Sequence, residues 1–187
     1  MDTMSDKQVA KESTSIMGKL QIKLLIGLVG MLIVIAGTLV SAGMTQKVLY
    51  LVGAVLMLTS AALERHSFLV ILQIVIVSGT VVAFTSWPEF IKAMIPIMFS
   101  IIALLYFYFT HALEDWITRI GCAGLIAIAL GFADSNPFIY LIGGVLLAIY
   151  GVGSYRRGVK IALLWAILNA IFALTSLVAI FRLVGKS

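Results

Sequence analysis

Residues 140–153 read YLIGGVLLAIYGVG, and residues 50–63 read YLVGAVLMLTSAAL. Neither stretch alternates polar and apolar positions as a half-buried strand would. Both run apolar for longer than a strand needs, with small residues recurring at helical spacing, so both predict helices. Tyr50, Leu51, Gly53, Val55 and Leu56 match Tyr140, Leu141, Gly143, Val145 and Leu146 at an offset of ninety positions. Upstream the offset becomes ninety-four, pairing Gly27, Gly30 and Gly37 with Gly121, Gly124 and Gly131. The change falls in the connecting loop, where SAGMTQKV is longer than ADSNPF. A helix pair written twice is therefore the frame in which the remaining sequence is read.

The solvent follows from composition. Of 187 residues, 62% are hydrophobic and only 11% charged, and the mean hydropathy is +1.15. A soluble domain carries roughly 25% charged residues, and one of this size has too little interior to hide such an apolar load. The expected fold is an all-α polytopic membrane bundle. Seven apolar runs serve as candidate spans, at about 24–43, 48–63, 68–86, 91–110, 117–133, 138–155 and 160–181. The second and fifth are near the lower length for crossing a bilayer, which implies snorkelling ends or a locally thin membrane. Residues 1–22 form a polar cytoplasmic tail or interfacial helix, with Ser13, Thr14 or Ser15 as helix caps, and 23–187 a single transmembrane domain. The first apolar run is longer than the core of a signal peptide, so VSA at 40–42 is not read as a cleavage site.

Orientation comes from the basic residues. An inside N-terminus puts Lys7, Lys11, Lys19, Lys23, Arg65, Arg119, Arg156, Arg157 and Lys160 on one side and Lys47, Lys92, Arg182 and Lys186 on the other. The excess predicts a cytoplasmic N-terminus and an outward C-terminus, and short loops suit a bacterial inner (plasma) membrane. The net charge of +5 is scattered over loops with no basic, aromatic-interleaved stripe, so no nucleic-acid partner is expected. The partners expected are the lipid bilayer and other membrane proteins, or further copies of the chain.

Two groupings of the helices are open. In one, a parallel repeat pairs 24–86 with 117–181 around a linker helix at 91–110; in the other, the chain is a series of helix hairpins. In the hairpin form, GLVGMLIVIAG and YLVGAVL, then GCAGLIAIALG and YLIGGVLLAIYG, resemble HdeD-like bacterial inner-membrane proteins. That resemblance covers about half the chain and implies an association with acid stress; the seventh span departs from its six-helix pattern. The three-plus-one-plus-three layout looks like that of SWEET and PnuC-type transporters, although the proline pattern of SWEETs and a convincing PnuC-like binding motif are both missing.

In lipid, close backbone approach replaces the hydrophobic drive between helices. Gly27, Gly30, Gly37, Gly121, Gly124 and Gly131 are thus packing positions, as are Ala162, Ala166 and Ala170, with Ala173, along the last span. No ionisable residue lies near the centre of a span, which argues against ion-coupled transport. Gln73, Trp165 and Asn169 are the polar exceptions. A buried amide needs a partner, so these three are expected either to make interhelical polar contacts or to line a site for a small neutral solute. Glu64, His66, His111, Glu114 and Asp115 gather on the cytoplasmic side, where the spacing of HALEDW permits metal ligation but reads equally as a solvated connection. Cys122, the single cysteine, is expected to be a packing residue. No nucleophile–base set, phosphate loop or metalloprotease motif is found, so no catalytic residue, metal or cofactor is expected. The function expected is that of a non-enzymatic small subunit or scaffold of a membrane assembly. The alternatives are a facilitative transporter or channel for a small neutral solute and an acid- or stress-associated membrane protein.

Overall fold

The computed structural model describes residues 21–37, 40, 43–134 and 137–184. It is all-helical: α1 (Gln21–Gly37), α2 (Met44–Glu64), α3 (Ser67–Val82), α4 (Glu89–Phe109), α5 (Trp116–Asp134), α6 (Pro137–Arg156) and α7 (Ala162–Val184). A short 3₁₀ turn, Ala112–Glu114, joins α4 to α5. Four helices, α2, α4, α6 and α7, are long and apolar enough to cross a membrane. The expected polar segment 1–22 lies outside the described residues except for Gln21 and Ile22, which belong to α1.

Two lengths differ from expectation. The second helix is not short, because it starts at Met44 and runs for 21 residues. The third is the short one, 16 residues ending at Val82 rather than 86. Its last turn is closed by Thr85, whose hydroxyl donates to the Val82 carbonyl at 2.7 Å. Lys47 reaches across from α2 to donate to the Ala83 carbonyl, also at 2.7 Å. These bonds satisfy the orphan carbonyls of a helix end, so a polar side chain on a neighbouring helix helps settle where α3 stops.

Neighbouring helices run antiparallel, as their glycine contacts show. A Cβ placed on Gly27 would meet Ser60, one on Gly30 would meet Met57 and the Gly53 carbonyl, and one on Gly37 would meet Tyr50. In the later pair, Gly121 faces Tyr150, Gly124 faces Leu147 and Gly143 faces Ile128. Adding ninety-four to the α1 numbers and ninety to the α2 numbers converts the first set into the second. Gly30–Met57 becomes Gly124–Leu147, Gly53–Val34 becomes Gly143–Ile128, and Gly27–Ser60 becomes Gly121–Tyr150. The α1–α2 and α5–α6 crossings therefore share one register. Gly131 lies in α5, and its surroundings fall outside the described residues.

α6 and α7 also approach closely. Gly144 lies against Asn169 and Ala173, and Gly151 against Ala166, where an added Cβ would sit 2.8 Å from backbone nitrogen. α3 packs on α2, α4 and α5, and Leu164 of α7 touches Gly27 of α1. At one end of the bundle, Phe68 of α3 stacks on Phe107 of α4, with ring centroids 5.2 Å apart, and meets the tilted ring of Tyr150 of α6 at 4.0 Å. That end also carries exposed Trp116, while exposed Trp87 lies at the opposite end.

Candidate functional site

The three polar side chains singled out from the sequence are all buried: Gln73 is 1%, Trp165 1% and Asn169 8% exposed. Gln73 lies on α3, whose neighbours are α2, α4 and α5, whereas Trp165 and Asn169 lie on α7, which packs against α6. Asn169 Nδ2 donates to the Trp165 carbonyl of its own helix at 2.8 Å. That bond satisfies the amide nitrogen within one turn, without help from a facing helix. Two donors are left over: Gln73 Nε2 and Trp165 Nε1 are buried and, among the described residues, have no hydrogen-bond partner. Each such group costs on the order of 1–3 kcal/mol when unpaired.

Of the alanines, Ala162 and Ala166 are buried and Ala170 is exposed. Steps of four residues overshoot a helical turn of 3.6 by about 40° each, so the stripe 162–166–170 rotates off the seam. The buried face instead continues through Asn169, Ala173 and Ser176, alternating steps of three and four. Gly144 and Gly151, not among the packing positions expected from sequence, are what α7 presses against. Their spacing of two turns on one face was the signal available.

The charged residues sit at the helix ends. Where α1 begins and α2 ends, Lys23 Nζ pairs with Glu64 at 3.4 Å, and Ser60 donates to the Lys23 carbonyl at 2.6 Å. Where α5 begins and α6 ends, Arg157 grips Asp115 with two bonds of 2.7 and 2.8 Å. Each of the two matching hairpins is thus clasped at its open end, with the signs of the pair reversed. Asp115 also caps α5, accepting from the Thr118 backbone at 3.0 Å and from the Thr118 hydroxyl at 2.9 Å. The Arg157 guanidinium, helped by the Thr118 bonds and by one from the Ile117 backbone N–H, holds the Asp115 carboxyl well below the usual carboxylate range despite some desolvation.

His111 Nδ1 lies 3.1 Å from Glu114, and both are exposed. With Asp115 engaged by Arg157, the gathering of acids and histidines on this side resolves into separate pairs. Among the described residues no three potential ligands come together as a metal site. His66 is half-buried with Nδ1 unpartnered; burial lowers its pKa, opposed by its own backbone and by Glu64. Cys122 is buried and free.

Between α3 and α4 lies a groove of about 600 Å³, open along its outer side. Arg65 and Ser67 stand at one end, with aliphatic and aromatic groups along the rest. None of Gln73, Trp165 and Asn169 lines it. Arg65 ends α2 in a left-handed conformation, φ 58° and ψ 32°. Its N–H bonds the Ala62 carbonyl at 3.0 Å and that of His66 bonds Ala61 at 3.4 Å, the paired closure that usually places glycine at this position. Gly158 closes α6 in the same way, at φ 94°. No family model, curated protein or solved structure matches this chain.

Proposed function

We propose that the protein is a seven-span bacterial inner-membrane scaffold or small subunit with a cytoplasmic N-terminus. On this reading it is built from two copies of one helix pair, each followed by a third helix, with α4 as the link. The matched crossings of α1–α2 and α5–α6 support the repeat. The observation that carries the scaffold reading is the outer side of α4. Phe90, Met94, Met98, Ile101, Leu105 and Tyr108 are all exposed on it, at steps of three and four. Methionine and aromatic groups of this kind adapt to a facing helix, and a stripe along a whole helix suits a partner in the membrane. The test is photo-crosslinking from position 98 in native membranes, followed by purification in mild detergent. A discrete protein adduct that the same probe at exposed Val145 does not form is expected; adducts to lipid alone would refute the reading. Cysteine labelling from each face tests the orientation: Met44→Cys should react only from outside and Thr110→Cys only from the cytosol.

A facilitative path for a small neutral solute is the second reading, favoured by the unpaired donors of Gln73 and Trp165. Vesicle uptake in Gln73→Ala and Asn169→Ala decides it, since unchanged flux in both removes these residues from any path. An acid-stress role, as in the HdeD-like proteins that the hairpins resemble, is compatible with either reading.

A further inference from the structure

We infer that the groove between α3 and α4 is a binding site for one anionic phospholipid of the cytoplasmic leaflet, with Arg65 as the phosphate ligand. The inference rests on the membrane reading above and adds a ligand to it. Val70, Ile71 and Ile74 of α3 face Phe99, Ile102 and Tyr106 of α4 across the groove. From Ser67 to Val75 the lining spans two turns, about 12 Å at 1.5 Å per residue. That is close to the depth of one leaflet, half of a hydrocarbon core about 30 Å thick. The groove starts at the α2–α3 turn and runs towards the middle of the bundle, so a chain lying in it has its headgroup at the turn.

The turn carries the matching charge. Glu64, the adjacent carboxylate, is engaged by Lys23, and among the described residues Arg65 makes no side-chain hydrogen bond or ion pair. Its guanidinium is therefore free to take a phosphate through paired N–H donors. The backbone points the same way. Arg65 occupies a left-handed position where glycine would be the undemanding choice, and such strain is retained where a side chain is needed at that spot. Ser67, at the same mouth, supplies a hydroxyl. An apolar trough under a lone cation fits a lipid better than a free phosphate, which would leave the trough empty.

The experiment places the full chain in nanodiscs of mixed phosphatidylglycerol and phosphatidylcholine, then counts retained lipids by native mass spectrometry after gentle release. Wild type and Arg65→Lys should retain one phosphatidylglycerol enriched about fivefold over phosphatidylcholine, the preference that one basic residue confers near a membrane surface. Arg65→Gln should lose the preference, and Ile102→Trp, which fills the trough from its exposed rim, should retain fewer lipids of both kinds. Free inorganic phosphate at millimolar concentration should not displace the lipid; displacement would identify a phosphate site instead. Equal enrichment in wild type and Arg65→Gln overturns the inference while leaving the membrane reading intact. Failure of the wild type to enter nanodiscs overturns both.

Discussion

The shared register of the two glycine crossings makes a quantitative prediction. In Gly30→Ala the new methyl lands 2.9 Å from the Gly53 carbonyl oxygen, 2.9 Å from Met57 Cγ and 3.0 Å from Leu56 Cβ. Comfortable carbon contacts begin near 3.5 Å, and two of these three neighbours are backbone or Cβ atoms that cannot swing aside. The helices must separate, at an overpacking cost of about 1–3 kcal/mol. Higher helix propensity returns at most about 1 kcal/mol, and less where the unfolded state stays helical in detergent or lipid. The net loss is on the order of 1–2 kcal/mol. Gly124→Ala meets Leu147 nitrogen at 3.0 Å, Leu147 Cγ at 2.9 Å and Leu146 Cβ at 3.1 Å, so its loss should be the same within error. Gly79→Ala is the control. Its methyl finds nothing closer than Pro96 at 3.8 Å, an ordinary contact, and it should be neutral or stabilising by up to about 1 kcal/mol. Unfolding by SDS titration in mixed micelles, followed by tryptophan fluorescence, gives the three differences. Unfolding midpoints for Gly30→Ala and Gly124→Ala at or above that of Gly79→Ala would refute the crossing geometry.

Three further outcomes are expected. Asp115→Ala removes both the clasp to Arg157 and the α5 cap, the cap alone being worth about 1 kcal/mol. Because the Asp115 carboxyl is held below the usual range, its contribution is complete above the unfolded value near 3.9 and fades as pH falls through the folded one. The stability gap to wild type should thus stay constant from pH 7 to 5 and narrow only below about 4; a gap already closing at pH 6 would contradict this. His66 acts in the same sense, but in a higher pH range. Burial depresses its folded pKa, so the unfolded chain protonates first and stability should fall as pH drops below about 6.5. Thermal melts of His66→Gln should lose that slope, and an identical slope in both proteins would discount it. Arg65→Gly relieves the left-handed position, so it should raise stability by about 1 kcal/mol even as lipid selectivity disappears. A destabilised Arg65→Gly would mean that the side chain holds the turn together.

Much of the fold was legible in the residues themselves. Each of the seven apolar runs overlaps a helix, because in a lipid-embedded chain a helix satisfies the backbone's hydrogen bonds within its own segment. The matched glycines at offsets of ninety and ninety-four marked positions open to close approach, since a missing side chain is the requirement for it; which helix faces each glycine came from the structure. The candidate polar site was legible only as residue types. Gln73, Trp165 and Asn169 stand out on any reading, but residue type does not say how α3 and α7 are arranged in the bundle, and so whether the three meet was not legible.

Helix ends escaped the sequence for a related reason. Gly158 announces its turn, but Arg65 and His111 adopt the same left-handed backbone without a local preference for it, within turns closed by backbone hydrogen bonds at the helix ends. The short length of α3 depends on Lys47, thirty-six positions from the carbonyl it reaches. The clasp of Asp115 by Arg157 joins residues forty-two apart. Apolar pattern and glycine placement act over one or two turns of chain, so the sequence by itself determined the helices and the glycine positions open to close approach. Charge pairing, the α6–α7 seam and the α3–α4 groove exist only between segments brought together by folding, so the tertiary structure alone decided them.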